Sequence, residues 1–263
     1  MTYSDPDEVM AAVARRGDVL RILGEGGAEK RDLVAELDVS RSTVDRAVRE
    51  LEGTGLVERA ADGYRRTLAG KIALDEYRQF ADRIRGVKAG RELLAELSPD
   101  TPFDAAMLEG GEIVRPERHS PHLPVNRLSE LVERAERVRA FASAVFPQQV
   151  DTYHRAIVQD GMEARLVVTR DVVDRLVAAY REQLAAALDT GRLAIRATEE
   201  ALPYSLVVAD TSDGTEVGQL VYAEEGGVKG FIGNDGIDAV EWAEREIARR
   251  WERGAPLPVP EDV

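Results

Sequence analysis

Five residues on one short stretch carry the most directed chemistry in this sequence. They are Arg41, Ser42, Thr43, Arg46 and Arg49, inside "LVAELDVSRSTVDRAVREL" (Leu33–Leu51). A guanidinium pairs bidentately with the edge of guanine, and Ser or Thr hydroxyls bond to bases or phosphates. The spacing sorts this stretch into two faces. Val44, Ala47 (or Val48) and Leu51 recur at helical intervals and turn inward, which leaves the arginines outward with Asp45 among them. A second group, Tyr64, Arg65 and Arg66, lies close behind and has the chemistry to reach a phosphate or a minor groove.

The surrounding elements have to hold those groups in place. Ser4-Asp5-Pro6 reads as a helix start. Val9, Val13, Val19, Leu20, Ile22 and Leu23 suit one or two helices closed by Gly24. Glu29–Leu37 gives a second helix, with Leu33, Val34 and Leu37 on one face. Asp38-Val39 makes a short turn, since Asp tolerates the left-handed conformation. Ser40 caps a third helix from about Arg41 to Glu52, ended by Gly53-Thr54-Gly55. Two short strands, Leu56–Arg59 and Tyr64–Thr67, are joined by a turn carrying Asp62-Gly63. Three helices and a hairpin form a winged helix-turn-helix, whose third helix lies in a major groove while the second crosses the backbone. The stretch quoted above resembles the winged helix-turn-helix domains of prokaryotic transcription regulators, with Val34 and Asp38 where that family often has Ala and Gly. Such domains also serve as protein-docking modules; the arginines weigh against that alternative.

The charge balance works against a polyanion partner. The 263 residues carry 49 Asp and Glu against 35 Lys and Arg, a formal net charge of -14. The excess is uneven. Residues 1–70 hold 11 basic and 14 acidic groups, net -3, and residues 71–263 hold 24 and 35, net -11. Only four of the basic residues are Lys: Lys30, Lys71, Lys88 and Lys229. An acidic, lysine-poor surface suits a salt-rich, halophilic cytoplasm, where screening shrinks self-repulsion; a GC-rich genome is the alternative explanation. Counterion release is weak in strong salt, so a nucleic-acid reader there depends on directed contacts and shape. The chain has no Cys, which excludes disulfides and thiolate metal sites. No apolar run nears the ~18 residues of a membrane span, and "MTYSDPDEVM" is not a secretory signal. A cytoplasmic protein without a membrane partner is expected.

Residues 71–98 read as a connector helix between a reader (1–70) and a third region (99–263). Tyr77, Phe80, Ile84, Val87 and Leu94 step by threes and fours like a short coiled-coil seam. Arg91 interrupts it, and Gly86 and Gly90 lower helix propensity. The seam predicts a homodimer holding two readers one turn of DNA apart; packing on the chain's own C-terminal domain is the alternative.

From Phe103 the pattern changes. "FDAAMLEGGEIVRP" reads as a hairpin bent at Glu109-Gly110-Gly111, and "RPERHSPHLP" as a loop. Helix Val125–Glu136, strand Val138–Val145, helix Gln148–Gln159, strand Ala164–Thr169, helix Asp171–Leu188 and strand Leu193–Ala197 alternate. Strands Tyr204–Asp210, Val217–Ala223 and Val228–Gly233 follow, turning at Ser212-Asp213-Gly214 and Glu225-Gly226-Gly227. A helix Gly236–Arg250 closes the chain. The whole is an α+β protein whose C-terminal α/β sheet ends in an antiparallel meander.

Catalytic signals are lacking. His119-Ser-Pro-His122 has a proline between its histidines and no cysteine nearby, so a polar loop is expected rather than a metal pair. There is no phosphate-binding glycine loop and no nucleophile elbow. No catalytic residue, cofactor or metal is expected. The order of elements resembles the phospholipase-D-like fold. "LPYSLVVAD…GQLVYAEEGGVKGFIGNDGIDAVEWAEREIARRW" resembles the effector domain of the methanogenesis regulatory proteins, found in archaeal, especially haloarchaeal, winged-helix regulators. An active phospholipase D needs His-x-Lys-x-x-x-x-Asp; here Pro203 and Ser205 stand in register with Asp210. The resemblance therefore implies binding, not catalysis.

In open α/β sheets ligands sit beyond the carboxyl ends of strands. That nominates Arg115, Phe146, Thr169, Arg170, Asn234 and Asp235, and the resemblance adds Arg139 and Tyr204. Each has a plainer alternative: a core ring for Tyr204, a helix cap for Asn234-Asp235, a surface charge for Arg139. The expectation is a dimeric transcription regulator that binds double-stranded DNA and senses a small-molecule effector. A ligand-free architectural or docking module, and a nuclease of phospholipase-D-like fold, are the other readings.

Overall fold

The structure, a computed structural model, describes residues 5–24, 26–61, 63–223 and 227–257. Ser4 of the proposed cap, Asp62 of the hairpin turn and Glu225-Gly226 of the later turn lie outside the described residues. The chain divides into two compact units between Asp82 and Arg83.

The N-terminal unit is built on one apolar centre. Helix α1 (Pro6–Ile22) is capped by the Asp5 carboxylate and kinks at Arg16. Helix α2 (Lys30–Leu37) ends at Asp38, which adopts the left-handed conformation at φ 50°. Helix α3 (Arg41–Gly53) starts at Ser40, whose hydroxyl accepts from the Thr43 N–H at 3.3 Å. Strands β1 (Val57–Ala60) and β2 (Gly63–Arg66) pair antiparallel. Leu20, Leu33, Val44, Val48, Leu51 and Leu56 fill the middle. The wing is anchored by a backbone bridge between Ala28 and Tyr64, which exchange hydrogen bonds at 2.8 and 3.0 Å. A Cβ at Gly63 would come 2.4 Å from the Ala28 carbonyl oxygen, and φ there is +128°. Only glycine permits both the turn and that close approach.

Helix α4 (Leu68–Leu94) follows. Leu74 belongs to the N-terminal core and Leu93 to the C-terminal one. The five-residue seam does not act as one face. Tyr77 packs on the N-terminal core and Leu94 on the C-terminal core, while Phe80, Ile84 and Val87 are exposed. Gly86 and Gly90 have a packing role that helix propensity does not capture. A Cβ at Gly86 would sit 2.3 Å from the Leu108 carbonyl oxygen, and one at Gly90 3.1 Å from a Leu108 methyl. Gly86→Ala should therefore destabilise by about 1–3 kcal/mol through overpacking, although Ala favours a helix by about 1 kcal/mol. Denaturant unfolding measures the sign; a stabilised variant would contradict this contact.

In the C-terminal unit an eight-stranded sheet forms among the described residues, in the order β10-β6-β5-β4-β7-β8-β9-β3. Its strands are β3 (Glu112–Val114), β4 (Ala135–Ala142), β5 (Glu163–Thr169), β6 (Leu193–Thr198), β7 (Tyr204–Thr211), β8 (Gly214–Tyr222), β9 (Val228–Asn234) and β10 (Ala255–Pro256). β4, β5 and β6 are parallel, and β4 and β7–β9 pair antiparallel in turn. Helices α5 (Leu123–Glu133), α6 (Pro147–Val158), α7 (Arg170–Ala179) and α8 (Arg181–Asp189) follow the crossovers, and α9 (Ile237–Arg253) comes last. Strand alternation splits the apolar residues into two layers. Phe141, Tyr204, Leu206 and Ile232 pack with Trp242 and Ile247 of α9. Val138, Ala140, Val207 and Leu220 pack with Leu128, Leu131 and Ile157 of α5 and α6.

Two expectations need correction. Residues 103–116 form no hairpin. Ala105–Leu108 is a 3₁₀ turn: the Asp104 carboxylate caps it by accepting from the Ala106 N–H at 2.9 Å, and the Glu109 N–H bonds back to the Ala106 carbonyl, so local bonds replace strand pairing. β3 pairs instead with β9. The predicted helix Asp171–Leu188 is broken at Tyr180, where φ is −137° and ψ 32°.

Candidate nucleic-acid interface and an apolar cavity

Arg41, Ser42, Thr43, Arg46 and Arg49 are all exposed on α3, opposite buried Val44, Ala47, Val48 and Leu51. Ser42 and Thr43 hydroxyls each lie 2.9 Å from the Ser40 hydroxyl. Among the described residues Arg41, Arg46 and Arg49 make no ion pair, whereas two acids on the same helix, Asp45 and Glu50, are engaged from elsewhere. Lys30 of α2 reaches Asp45 at 2.6 Å. That contact holds the Asp45 carboxyl below the usual carboxylate range and raises the Lys30 pKa. Arg15 and Arg16 of α1 hold Glu50 at 2.5 and 2.9 Å, and their hydrogen bonds lower its pKa. The fold thus neutralises Asp45 and Glu50 of α3 while leaving its guanidiniums unpaired among the described residues; Glu52, in the last turn, stays exposed. In high salt such local arrangement counts for more than net charge.

The wing residues are placed less uniformly. Tyr64 is only 6% exposed and its ring packs in the N-terminal core, with Lys30 and Arg59 over it at 5.2 and 5.7 Å. Arg65 is exposed but paired with Glu58 at 2.6 Å. Arg66 is partly buried and donates to the Leu20 carbonyl at 3.4 Å. Lys30, Arg15, Arg16 and exposed Arg59 were not singled out from sequence. Their relation to α3 and Tyr64 arises only on folding.

The eight nominated ligand residues do not come together. Arg115 donates to the Ala89 carbonyl and pairs with Glu92 at 3.4 Å. Arg139 is held by Asp210 at 2.7 Å and Glu244 at 3.2 Å. Arg170, beside the last residue of β5, Thr169, pairs with Glu199 at 3.0 Å. Tyr204 is fully buried, donates to the Pro102 carbonyl at 2.5 Å, and its phenol is pushed up by burial. The Asn234 amide donates to the carbonyls of Ala106, Met107 and Glu109 at 3.1, 3.2 and 2.9 Å, and its oxygen accepts from the Gly236 N–H at 2.7 Å. Asp235 is exposed. Phe146 stacks on Tyr222 at 6.4 Å and lines an open cleft with Ser143, Pro203 and Tyr222. Pro203 offers no nucleophile. The Ser205 hydroxyl is engaged by the Ser143 N–H at 3.3 Å and by the Tyr222 hydroxyl at 2.6 Å. Burial pushes the Tyr222 phenol up to about 12, partly offset by its hydrogen bond with Ser205.

A separate, apolar cavity of about 110 Å³ lies between the β4–β5–β6 face and α6, α7 and α8. None of the nominated ligand residues lines it. Among the described residues no group of acidic, His or Cys side chains could hold a metal ion, and no helix is long and apolar enough to cross a membrane.

Residues 121–253 match the family model described as the methanogenesis regulatory protein FilR1, middle domain, and residues 5–88 match the HVO_A0261 N-terminal domain. Comparison with curated proteins finds no match. Similar solved structures include TrmBL2, described as an archaeal chromatin protein with a novel mode of DNA binding. It is 17% identical over 96% of this chain and 100% of that one, with a TM-score of 0.42. Nuc, a phospholipase D family member from Salmonella typhimurium, is 14% identical over 57% of this chain and 98% of that one, at a TM-score of 0.40. An O-methyltransferase family protein from Burkholderia thailandensis is 15% identical over 75% and 60%, at 0.25.

Proposed function

The chain belongs to the family of transcription regulators defined by the methanogenesis regulatory protein FilR1, and we propose that it reads an operator through α3 under the control of a small molecule. One observation supports the DNA reading most. Arg41, Arg46 and Arg49 stand exposed and unpaired among the described residues while Asp45 and Glu50 beside them are neutralised. Arg46→Ala should weaken operator binding by about 1–3 kcal/mol if Arg46 reads a base. Genome-wide mapping of bound DNA supplies the operator, and fluorescence anisotropy on that fragment measures the loss. An unchanged affinity would remove Arg46 from the interface.

The Lys30–Asp45 pair gives a sharper check. Lys30→Met should weaken binding about fivefold, by exposing a bare carboxylate to phosphate. Adding Asp45→Asn should restore it. If the double variant binds as poorly as the single one, the role assigned to Lys30 fails.

Exposed Phe80, Ile84 and Val87 on α4, at 61%, 50% and 39%, support a homodimer. Ile84→Lys should then yield monomers in sedimentation velocity. Effector control needs only a ligand with different affinities for two states of the protein, and the apolar cavity is the feature that supports it. A phosphodiesterase reading finds Pro203 and Ser205 where the phospholipase-D-like chemistry needs His and Lys.

A further inference from the structure

We infer that the cavity beneath the break between α7 and α8 is a receptor site for a small, uncharged, largely apolar molecule, about the size of a single six-membered ring. This deepens the effector-sensing part of the function proposed above and rests on it.

The void has a specific origin. β4 and the residues after it carry Ala140, Ala142 and Ala144 at alternate positions along the cavity wall, where β5 and β6 offer Leu166, Val168 and Ile195. Three small side chains in a row leave unfilled space in the middle of a sheet face that would ordinarily be packed to crystal-like density. The roof over that space is interrupted. α7 and α8 meet at Tyr180, whose backbone is not helical, and Leu176, Tyr180 and Leu184 on either side of the break line the cavity.

The lining sets the chemistry. In a chain that is 32% charged, no Asp, Glu, Lys or Arg lines this cavity. A carboxylate or phosphate placed there would lose its hydration with no counter-charge, which is strongly unfavourable. Besides Ser205, whose hydroxyl is engaged by Ser143 and Tyr222, five polar side chains are present: Gln149, Tyr153, His154, Tyr180 and Gln183. Their side chains make no hydrogen bond among the described residues, so they remain available to a hydroxyl, carbonyl or ring nitrogen on a ligand. Burial holds the Tyr153 phenol above its ordinary range, so it stays a neutral donor. An apolar wall with a few convergent polar groups is the usual make-up of a small-molecule site. The volume suits a ring, since an engineered apolar cavity of roughly 150 Å³ binds benzene.

The test uses the full-length protein with benzene and benzoate at equal concentration, followed by ligand-observed NMR and thermal unfolding. Benzene should bind saturably and raise the melting temperature by about 2–4 °C, and benzoate should do neither. Ala142→Phe, which fills the void, should melt no lower than the parent and lose benzene saturation; Ala140→Leu serves the same purpose should Ala142→Phe not fold. Absence of saturable benzene binding, equal binding of benzoate, or saturation surviving in the filled variants overturns the proposal. Operator affinity measured in the same samples separates the two claims. Saturable benzene binding that leaves operator affinity unchanged upholds the cavity and removes its assigned control of DNA binding. Intact operator binding with no benzene saturation overturns the cavity and leaves the DNA reading standing.

Discussion

Replacing Arg41, Arg46 and Arg49 together by Ala is expected to lower operator affinity by about 3–6 kcal/mol, roughly two to four orders of magnitude, with little change in stability. The size follows from the contact types. A bidentate guanidinium–guanine pair is worth about 1–3 kcal/mol, and a phosphate contact contributes counterion release. The small effect on stability follows from the structure, because these side chains are exposed and make no ion pair among the described residues. Contrasting salt dependence separates the roles. Each arginine that only meets phosphate should reduce the slope of log affinity against log salt by about 0.9, and one that reads a base should not. Anisotropy across a potassium chloride series measures both, with circular dichroism as the fold control. A triple variant that binds like the parent would leave α3 without its assigned role.

The largest expected loss of stability lies in the other unit. Arg250 and Glu246 of α9 are 7% and 5% exposed and paired with each other, and Arg250 lies over the Phe141 ring at 4.4 Å. Burying two charges is costly, and their mutual attraction roughly offsets that cost. Removing Arg250 leaves the buried Glu246 carboxylate with only the half-exposed Arg249 as counter-charge. Arg250→Met should therefore destabilise by about 3–5 kcal/mol, a fall in melting temperature of roughly 10 °C. Changing both, as Glu246→Leu with Arg250→Met, should recover most of the loss, since a well-packed apolar pair often equals a buried ion pair. Glu246 also contacts Arg249, which is about half exposed and free to turn to water. Calorimetry on the single and double variants decides it. A double variant as unstable as the single one would mean that packing against Phe141, not charge, holds this corner.

The exposed arginine face of α3 is legible in the sequence because its signals are local. Ser40 at the cap and Val44, Ala47, Val48 and Leu51 at helical steps orient the helix without any partner. The left-handed Asp38 was legible for the same reason. Tyr64 was assigned outward with Arg65, yet neighbours on a strand face opposite ways. That alternation was present in the sequence, and it puts Tyr64 in the core and Arg65 outside. The neutralising partners Lys30, Arg15 and Arg16 carry no comparable signal, since each joins a different helix to α3.

In the C-terminal unit the strands between Ala164 and Gly233 were legible from short apolar runs between turn residues. The break at Tyr180 was not, as "DVVDRLVAAYREQLAAALD" contains neither Gly nor Pro. The cavity does leave a trace in the sequence. "VRAFASAV" places a small residue at every second position along Ala140, Ala142 and Ala144, which spares a strand but empties one of its faces. Polar groups at strand ends give a stronger sequence signal but a weaker site. Several of those, such as Tyr204 and Asn234, have their hydrogen bonds met within the fold.

Methylation interference on an operator fragment tests most directly whether α3 enters a major groove. Methylating guanine N7 places a methyl group where an arginine of α3 would bond. It should block binding in two patches about 10 base pairs apart, the spacing of paired recognition helices. Interference confined to adenine N3 in the minor groove, or none on a fragment the protein binds, would contradict the account.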